Sequence, residues 1–420
     1  MESSLISYQN RVESPFVILH IGEYTFGHCL KKEERNLLKV TFPNYMQSIS
    51  VKKINGAVNT YTIRMTYQIT ELDDPNLLER VFSSISQDRM ITLQYGDWAL
   101  PNYIYKDEKA ILTKVSSQVD FANSKIDYTL NATSNALSIT SVNKNFESKF
   151  SKPSDEIKKL LKDQSTGLLD IFYGMKNLDD AKLNTLIVGD DKKVELKAQN
   201  CSVLSYINYL VSCMTSQSDY GTSALKSSRY FWSSFDDISN ELGGPYFKVV
   251  RVDAKNKYNL SYDCYAVDIG YPSGNYVSSF SLDNNESLSI LYNHAANMQM
   301  PEYTYDIDNE GKITSISSPM ITKSVKYGTT SESSKAWWSY MTQYPISAKL
   351  VIKGLLKPAL LMSYVKINTY FFGRKHISSG LYIITKQEDQ IDGSGYKTTL
   401  SITRISGDEA EWFAEELLRK

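Results

Sequence analysis

The 420-residue sequence predicts a mainly β protein with a mixed α+β insert: two β-barrel domains, a middle domain between them and a C-terminal helix. Three observations carry that expectation. Strand-like runs rich in β-branched and aromatic residues fill both ends of the chain, bounded by Gly, Pro and Asn. Helical spacing of apolar residues is concentrated in the middle. The chain also contains 30 tyrosines, a residue suited to strands and to contact surfaces because a large apolar ring ends in a hydrogen-bonding tip.

The first domain is placed at residues 1–140. Its strands are "FVILHIG" from Phe16, "NLLKVTF" from Asn36, "SISVKKI" from Ser48 and "TYTIRMTYQIT" from Thr60. In the last of these Tyr61, Ile63, Met65, Tyr67 and Ile69 alternate, the period of a strand with one buried face. One helix interrupts the series: Asp74 is its N-cap, Pro75 its first position, and Leu77, Leu78, Val81 and Phe82 its apolar stripe. Strands resume at "RMITLQYG" and end with "SKIDYTLNAT", so a small barrel with a helix over one end is expected.

The insert is placed at 141–244. "SKPSDEIKKLLKDQ" carries Pro153 early and an Ile157/Leu160/Leu161 stripe, which predicts a helix. The uncharged run from Cys201 to Met214 spaces Val203, Leu204, Ile207, Leu210 and Val211 for a second, well-buried helix, too short to span a membrane. The Ser- and aromatic-rich stretch Ser216–Ser239 reads as irregular and largely on the surface.

The second β domain is placed at 245–406. It opens with "PYFKVVRVD" and closes with the hairpin His376–Arg404, "HISSGLYIITKQEDQIDGSGYKTTLSITR", in which "DGSG" makes the turn. Tyr396, Thr398, Leu400 and Ile402 share one face of its second strand. Residues 407–420 form a helix with Asp408 and Glu411 at capping-box spacing and Arg419-Lys420 at the end.

The chemistry-bearing residues form no catalytic set. His20, His28, His294 and His376 have no metal-ligand spacing, and phosphate-loop, zinc-protease and nucleophile-elbow motifs are absent. Cys29, Cys201, Cys213 and Cys264 are scattered, as expected of free thiols. "DIDNEGK" places Asp306, Asp308 and Gly311 like the start of a calcium loop, but Ser317 stands where the bidentate glutamate belongs, which favours a turn between strands. No cofactor, metal or catalytic residue is assigned, and an enzyme is not expected. The net charge of −1 gives no footprint for nucleic acid or a membrane surface, and with no secretion signal or spanning segment a soluble protein is expected.

Aromatic residues remain as candidate contact points. Trp412, lying beside the apolar stripe of the terminal helix, and Phe413 are expected to dock a neighbouring subunit, the alternative being a helix folded onto its own barrel. Trp337 and Trp338 fit an interface anchor, buried core, or a platform for sugars.

The segment "YVKINTYFFGRKHISSGLYIITKQEDQIDGSGYKTTLSITRISGD" resembles the closing part of phage baseplate central hub proteins, the late-control tail protein family that also includes the hub-like part of type VI secretion spikes. The shared layout is Ser379, Gly380, Tyr382 and Ile384, a polar turn, then Gly395, Tyr396, Thr398, Leu400, Ile402 and Arg404. The "DDPNLL" helix followed by "ITLQYGD", and "SFSLDNNESLSILYN" at the entry to the second β domain, are also similar.

The resemblance implies two tube-type barrels per chain and a homotrimer whose six barrels match a sixfold tail tube on one side and a threefold spike on the other. The implied partners are the tube protein, a spike or tail-tip protein, other baseplate proteins, and genomic DNA passing through the lumen without specific binding. The implied location is the virion baseplate, after assembly in the host cytoplasm. A distal tail or initiator subunit is the nearest variant. A glycan- or receptor-binding tail-tip protein is the alternative from another class, and a β-rich hydrolase a third.

Overall fold

The computed structural model describes residues 15–28, 45–54, 56–71, 90–97, 104–134, 142–166, 179–187, 191–214, 229–235, 246–252, 260–265, 277–284, 304–307, 313–317, 346–353, 364–371, 374–375 and 380–404, with residues 30, 36, 81, 82, 168, 189 and 361. The protein is mainly β with a small α-helical component.

Seven strands form the first unit: β1 (Pro15–Ile21), β2 (Tyr24–His28), β3 (Met46–Ile54), β4 (Thr60–Gln68), β5 (Met90–Asp97), β6 (Tyr105–Asp120) and β7 (Lys125–Thr133). Their order is β3-β4-β7-β6-β5-β1-β2, antiparallel throughout. β2 returns to pack on β3, where His28 Nδ1 lies 2.8 Å from the Met46 carbonyl oxygen. A carbonyl only accepts, so Nδ1 carries the proton.

β4 confirms the alternation read from sequence: Tyr61, Ile63, Met65 and Tyr67 are buried, and Ile69 begins a short 3-10 turn. They join Val17, Leu19, Phe26, Leu93, Tyr128 and Leu130 in one core, with Val81 and Phe82 of the expected helix. Both of these are helical; residues 72–80 lie outside the described residues.

The middle unit pairs β8 (Asn143–Ser151) with β9 (Val194–Ser202) and packs them against α1 (Pro153–Lys162), α2 (Asp180–Leu186) and α3 (Val203–Cys213). Pro153 occupies the first turn of α1, where its missing N–H costs nothing. The buried Asp191 carboxylate accepts the backbone N–H of Ser154 at 2.9 Å and its hydroxyl at 2.5 Å, tying the start of that helix to the chain before β9. The Ser202 hydroxyl caps α3 by accepting the Ser205 N–H, and Phe146 stacks on Tyr206 at 3.8 Å between centroids. Cys201 and Cys213 are buried and form no disulfide.

Residues 229–235 depart from the irregular reading of Ser216–Ser239. They form β10 (Arg229–Phe235), paired antiparallel with β11 (Tyr246–Val252). The aromatic residues of "RYFWSSF" have the propensity for a strand once a partner lies alongside. β11, read as the opening of the second β domain, sends Val249 into the middle core beside Ile187.

Glu156 in α1 is 3% exposed yet ionic, with Lys149 and Lys159 beside it and the Ser151 hydroxyl donating at 3.1 Å. Burial pushes its carboxyl up, but the hydrogen bonds from Lys149, Lys159 and Ser151 outweigh that and hold it below its usual 4.5. A lowered carboxyl stabilises the fold above the unfolded value and loses that contribution as pH falls through the folded one. Glu156→Gln is therefore expected to cost about 2 kcal/mol at neutral pH, the difference shrinking below pH 4.5 in urea titrations.

The second β unit contains β12 (Leu260–Tyr265), β13 (Val277–Asn284), β16 (Ile346–Lys353), β17 (Tyr364–Phe371), β18 (Arg374–Lys375), β19 (Gly380–Asp392) and β20 (Gly395–Arg404). They run β13-β16-β20-β19-β17-β12, with β12 parallel to β17, β18 beside β17, and β12 packed near β13. A separate antiparallel pair is formed by β14 (Thr304–Ile307) and β15 (Ile313–Ser317), with Asp306 in the first strand opposite Ser315; Asp308 and Gly311 lie outside the described residues. Among the described residues no helix is long and apolar enough to cross a membrane.

Candidate assembly joint between the two β units

The closing hairpin belongs to both β units. β19 pairs with β17 through Gly380–Ile383 and with β3 through Lys386–Ile391, so it leaves one set of strands and enters the other. β20 accompanies it over almost its whole length. In consequence the two units form one fourteen-stranded sheet.

The switch is built from one extra residue. Ile384 faces Ile402 and Lys386 faces Ser401, so Thr385 is a bulge; its hydroxyl donates to the Ser401 carbonyl at 3.2 Å. A bulge bends a strand and shifts its side-chain parity by one. Before it, Tyr382 and Ile384 share the face of Ile402 and Leu400; after it, Gln387, Asp389 and Ile391 do, opposite Leu400, Thr398 and Tyr396. All of these are buried. Ile391 and Tyr396 thereby enter the core of the first unit, some 300 residues away in sequence from most of it.

The turn is tight. Asp392 faces Gly395, and its carboxylate accepts the N–H and hydroxyl of Ser394 at 2.8 and 2.5 Å. Gly395 has φ +116, a conformation that other residues rarely adopt.

Beneath the shared strand lies a polar cluster closed to water. Lys53, Gln387, Asp389 and Thr398 are between 0% and 2% exposed. Asp389 accepts from Thr398 Oγ1 at 2.6 Å, Gln387 Nε2 at 2.8 Å and the Tyr95 hydroxyl at 3.2 Å. Burial drives its carboxyl up from the usual 3.8, while Lys53 and the three hydrogen bonds pull it back without prevailing. Burial, with the neighbouring Asp389 charge, also pushes the Tyr396 hydroxyl up.

Lys53 sits 4.1 Å from the centre of the Tyr105 ring, a cation–π contact. The Tyr105 hydroxyl is 2.6 Å from that of Tyr61, and Tyr61 and Ser134 donate to the Asp107 carboxylate at 2.6 and 3.1 Å. Residues from β3, β4, β5, β6, β19 and β20 thus meet in one network. On the outer face Glu388 accepts from Ser50 and faces Lys52 and Lys386 at 3.7 and 3.4 Å, exposed pairs of small energetic value.

This arrangement suits a structural joint. A substrate cannot reach groups that are at most 2% exposed, and a buried polar network fixes which strands pair by penalising every register that leaves a member unmatched. Among the described residues no group of three or more His, Cys, Asp or Glu is placed to hold a metal.

Trp337, Trp338, Trp412 and Phe413 fall outside the described residues. Lys53, Gln387, Asp389 and Thr398 were missed as a set, because a charge in a strand is ordinarily read as pointing to solvent. The available signal was the phase break in "LYIITKQEDQID", where the buried parity changes.

No protein-family model and no curated protein matches the sequence. Among solved structures the chain is similar to the tail protein from Neisseria meningitidis MC58, at 7% identity and TM-score 0.47, covering 93% of this chain and 97% of that one. It is also similar to the 43 kDa tail protein of prophage MuSo2 from Shewanella oneidensis, at 9% identity and TM-score 0.49, with the same coverages of 93% and 97%. A third is the E. coli c3393 protein, at 10% identity and TM-score 0.44, covering 87% of this chain and 75% of that one; it is described as a type VI secretion component with structural similarity to the T4 bacteriophage tail proteins gp27 and gp5. Two of these three structures are described as tail proteins and the third as a type VI secretion component.

Proposed function

We propose that the chain is a structural, non-catalytic tail protein: a baseplate hub that joins a sixfold tail tube to a threefold spike. The observation that carries the proposal is the hairpin shared by two β units, read with the hub-like motif of its own sequence. A subunit that supplies two of six positions in a ring must hold its two barrels at a set angle, and one continuous sheet with a buried polar lock does this.

In this reading residues 1–140 and 245–406 are the two tube-like domains, with 141–244 as the insert and a boundary near 245 where Val249 still touches the insert. Three copies form the ring, residues 407–420 make a helix that docks through Trp412 and Phe413, and Trp337 and Trp338 serve contacts of the second domain. The tube protein, the spike and other baseplate proteins bind its two ends. Genomic DNA passes through the lumen without specific binding, and the assembled virion tail is the protein's location.

Quantitative mass spectrometry of purified tail particles tests this directly. Three copies per tail are expected, against six per ring for the tube protein. Absence of the chain from tails, or six copies per tail, overturns the hub assignment.

A further inference from the structure

β6 is sixteen residues long, but β5 accompanies only its first half, ending where Met90 faces Ile111. From Leu112 to Asp120 the strand has β7 on one side and no strand on the other among the described residues. Val115, Ser117 and Val119 lie opposite the core residues Leu130, Tyr128 and Ile126 of β7, so they continue the core face of the sheet. Yet Val115 is 37% and Val119 41% exposed, and Phe121 at the tip is 88% exposed. An open edge carrying apolar side chains is a template for another strand.

The sequence of this edge names its partner. Laid antiparallel on a second copy with the twofold axis at Ser117, Val115 faces Val119, Lys114 faces Asp120 and Ser116 faces Gln118, each pair occurring twice. Opposed residues lie on the same face, so the valines of both copies cover one another along one continuous surface. Centring on Ser116 places Lys114 against Gln118, and centring on Gln118 places Asp120 against Ser116; both lose the charge match.

The geometry points to antiparallel pairing of residues 112–120 between two copies of this chain as the form of the unassembled protein. The pairing goes beyond the proposed tail role and does not rest on it. A twofold contact closes on itself, whereas a ring uses unlike surfaces, so this pairing is a contact separate from those of a ring.

Ser117→Cys under mild oxidation provides the first test. Opposed residues in an antiparallel pair have Cα atoms about 4.5–5.5 Å apart, within disulfide reach. The variant should run as a covalent dimer on a non-reducing gel, while wild type and Thr113→Cys, whose residue 113 faces Phe121, should not.

Sedimentation of the purified chain provides the second. Lys114→Asp or Asp120→Lys alone should weaken the dimer about tenfold by turning both charge pairs repulsive, and the double reversal should restore it. Ser117 and Lys114 are exposed, so their variants should keep the wild-type melting temperature, whereas Asp120→Lys also removes the acceptor of two Asn123 hydrogen bonds in the β6–β7 turn and should lower it slightly. A monomeric wild type, equal cross-linking at residues 113 and 117, or single reversals without effect would overturn the proposal. None of those outcomes bears on copy number in tails.

Discussion

Replacing Asp389 by alanine is expected to lower the unfolding free energy by about 3–5 kcal/mol, read as a drop in the urea midpoint. The carboxylate is the shared acceptor for Thr398, Gln387 and Tyr95 and the nearby counter-charge for Lys53. Alanine would leave three donors and a cation buried from bulk solvent, and each stranded group carries its full desolvation cost.

Asp389→Asn keeps shape and one acceptor oxygen, so it should be much milder. It also isolates the carboxyl's titration. Burial raises the folded value above 3.8, so the folded state binds the proton more readily than the unfolded chain. The contribution of Asp389 is then fully present below 3.8 and is lost as pH rises through the folded value. The stability of Asp389→Asn relative to wild type should therefore improve as pH is raised from 4 toward neutrality. A relative stability that falls over that interval would mean that the ion pair with Lys53, and not burial, dominates.

Tyr396→Ala should cost about 3–4 kcal/mol, the range for removing a large buried aromatic side chain. Its location makes the result informative. Tyr396 belongs to the last strand of the chain but packs in the core of the first unit, edge-on to Tyr95 at 6.4 Å between centroids. Hydrogen exchange should therefore speed up in β4 and β7, whose Tyr61, Tyr67 and Leu130 share that core. Loss of protection limited to β16 and β17 would place Tyr396 energetically with the second unit only.

Local structure was legible where one element's own pattern decides it. β4 alternates over Tyr61–Tyr67, α1 and α3 carry apolar stripes at helical spacing, and "DGSG" turns the hairpin, whose Tyr396, Thr398, Leu400 and Ile402 face inward together. The joint was not legible, for two physical reasons. Pairing of β3 with β19 brings together residues more than 300 apart, and strand alternation contains no information about which edge meets which. The Thr385 bulge then reverses parity, so the buried Gln387 and Asp389 occupy places that simple alternation from Tyr382 and Ile384 would assign to solvent. Residues 229–235 were misread because their serines suggested a loop, whereas the ladder with β11 settles them as a strand.

The central claim is that the closing hairpin makes the two β units one mechanical body. Native-state hydrogen exchange in rising denaturant measures this directly, amide by amide. The account predicts that amides of β4 in the first unit, β16 in the second and the shared β19 become unprotected in one opening event, with the same free energy and the same denaturant slope. Separate openings for β4 and β16, with β19 protected to the level of only one of them, would contradict it.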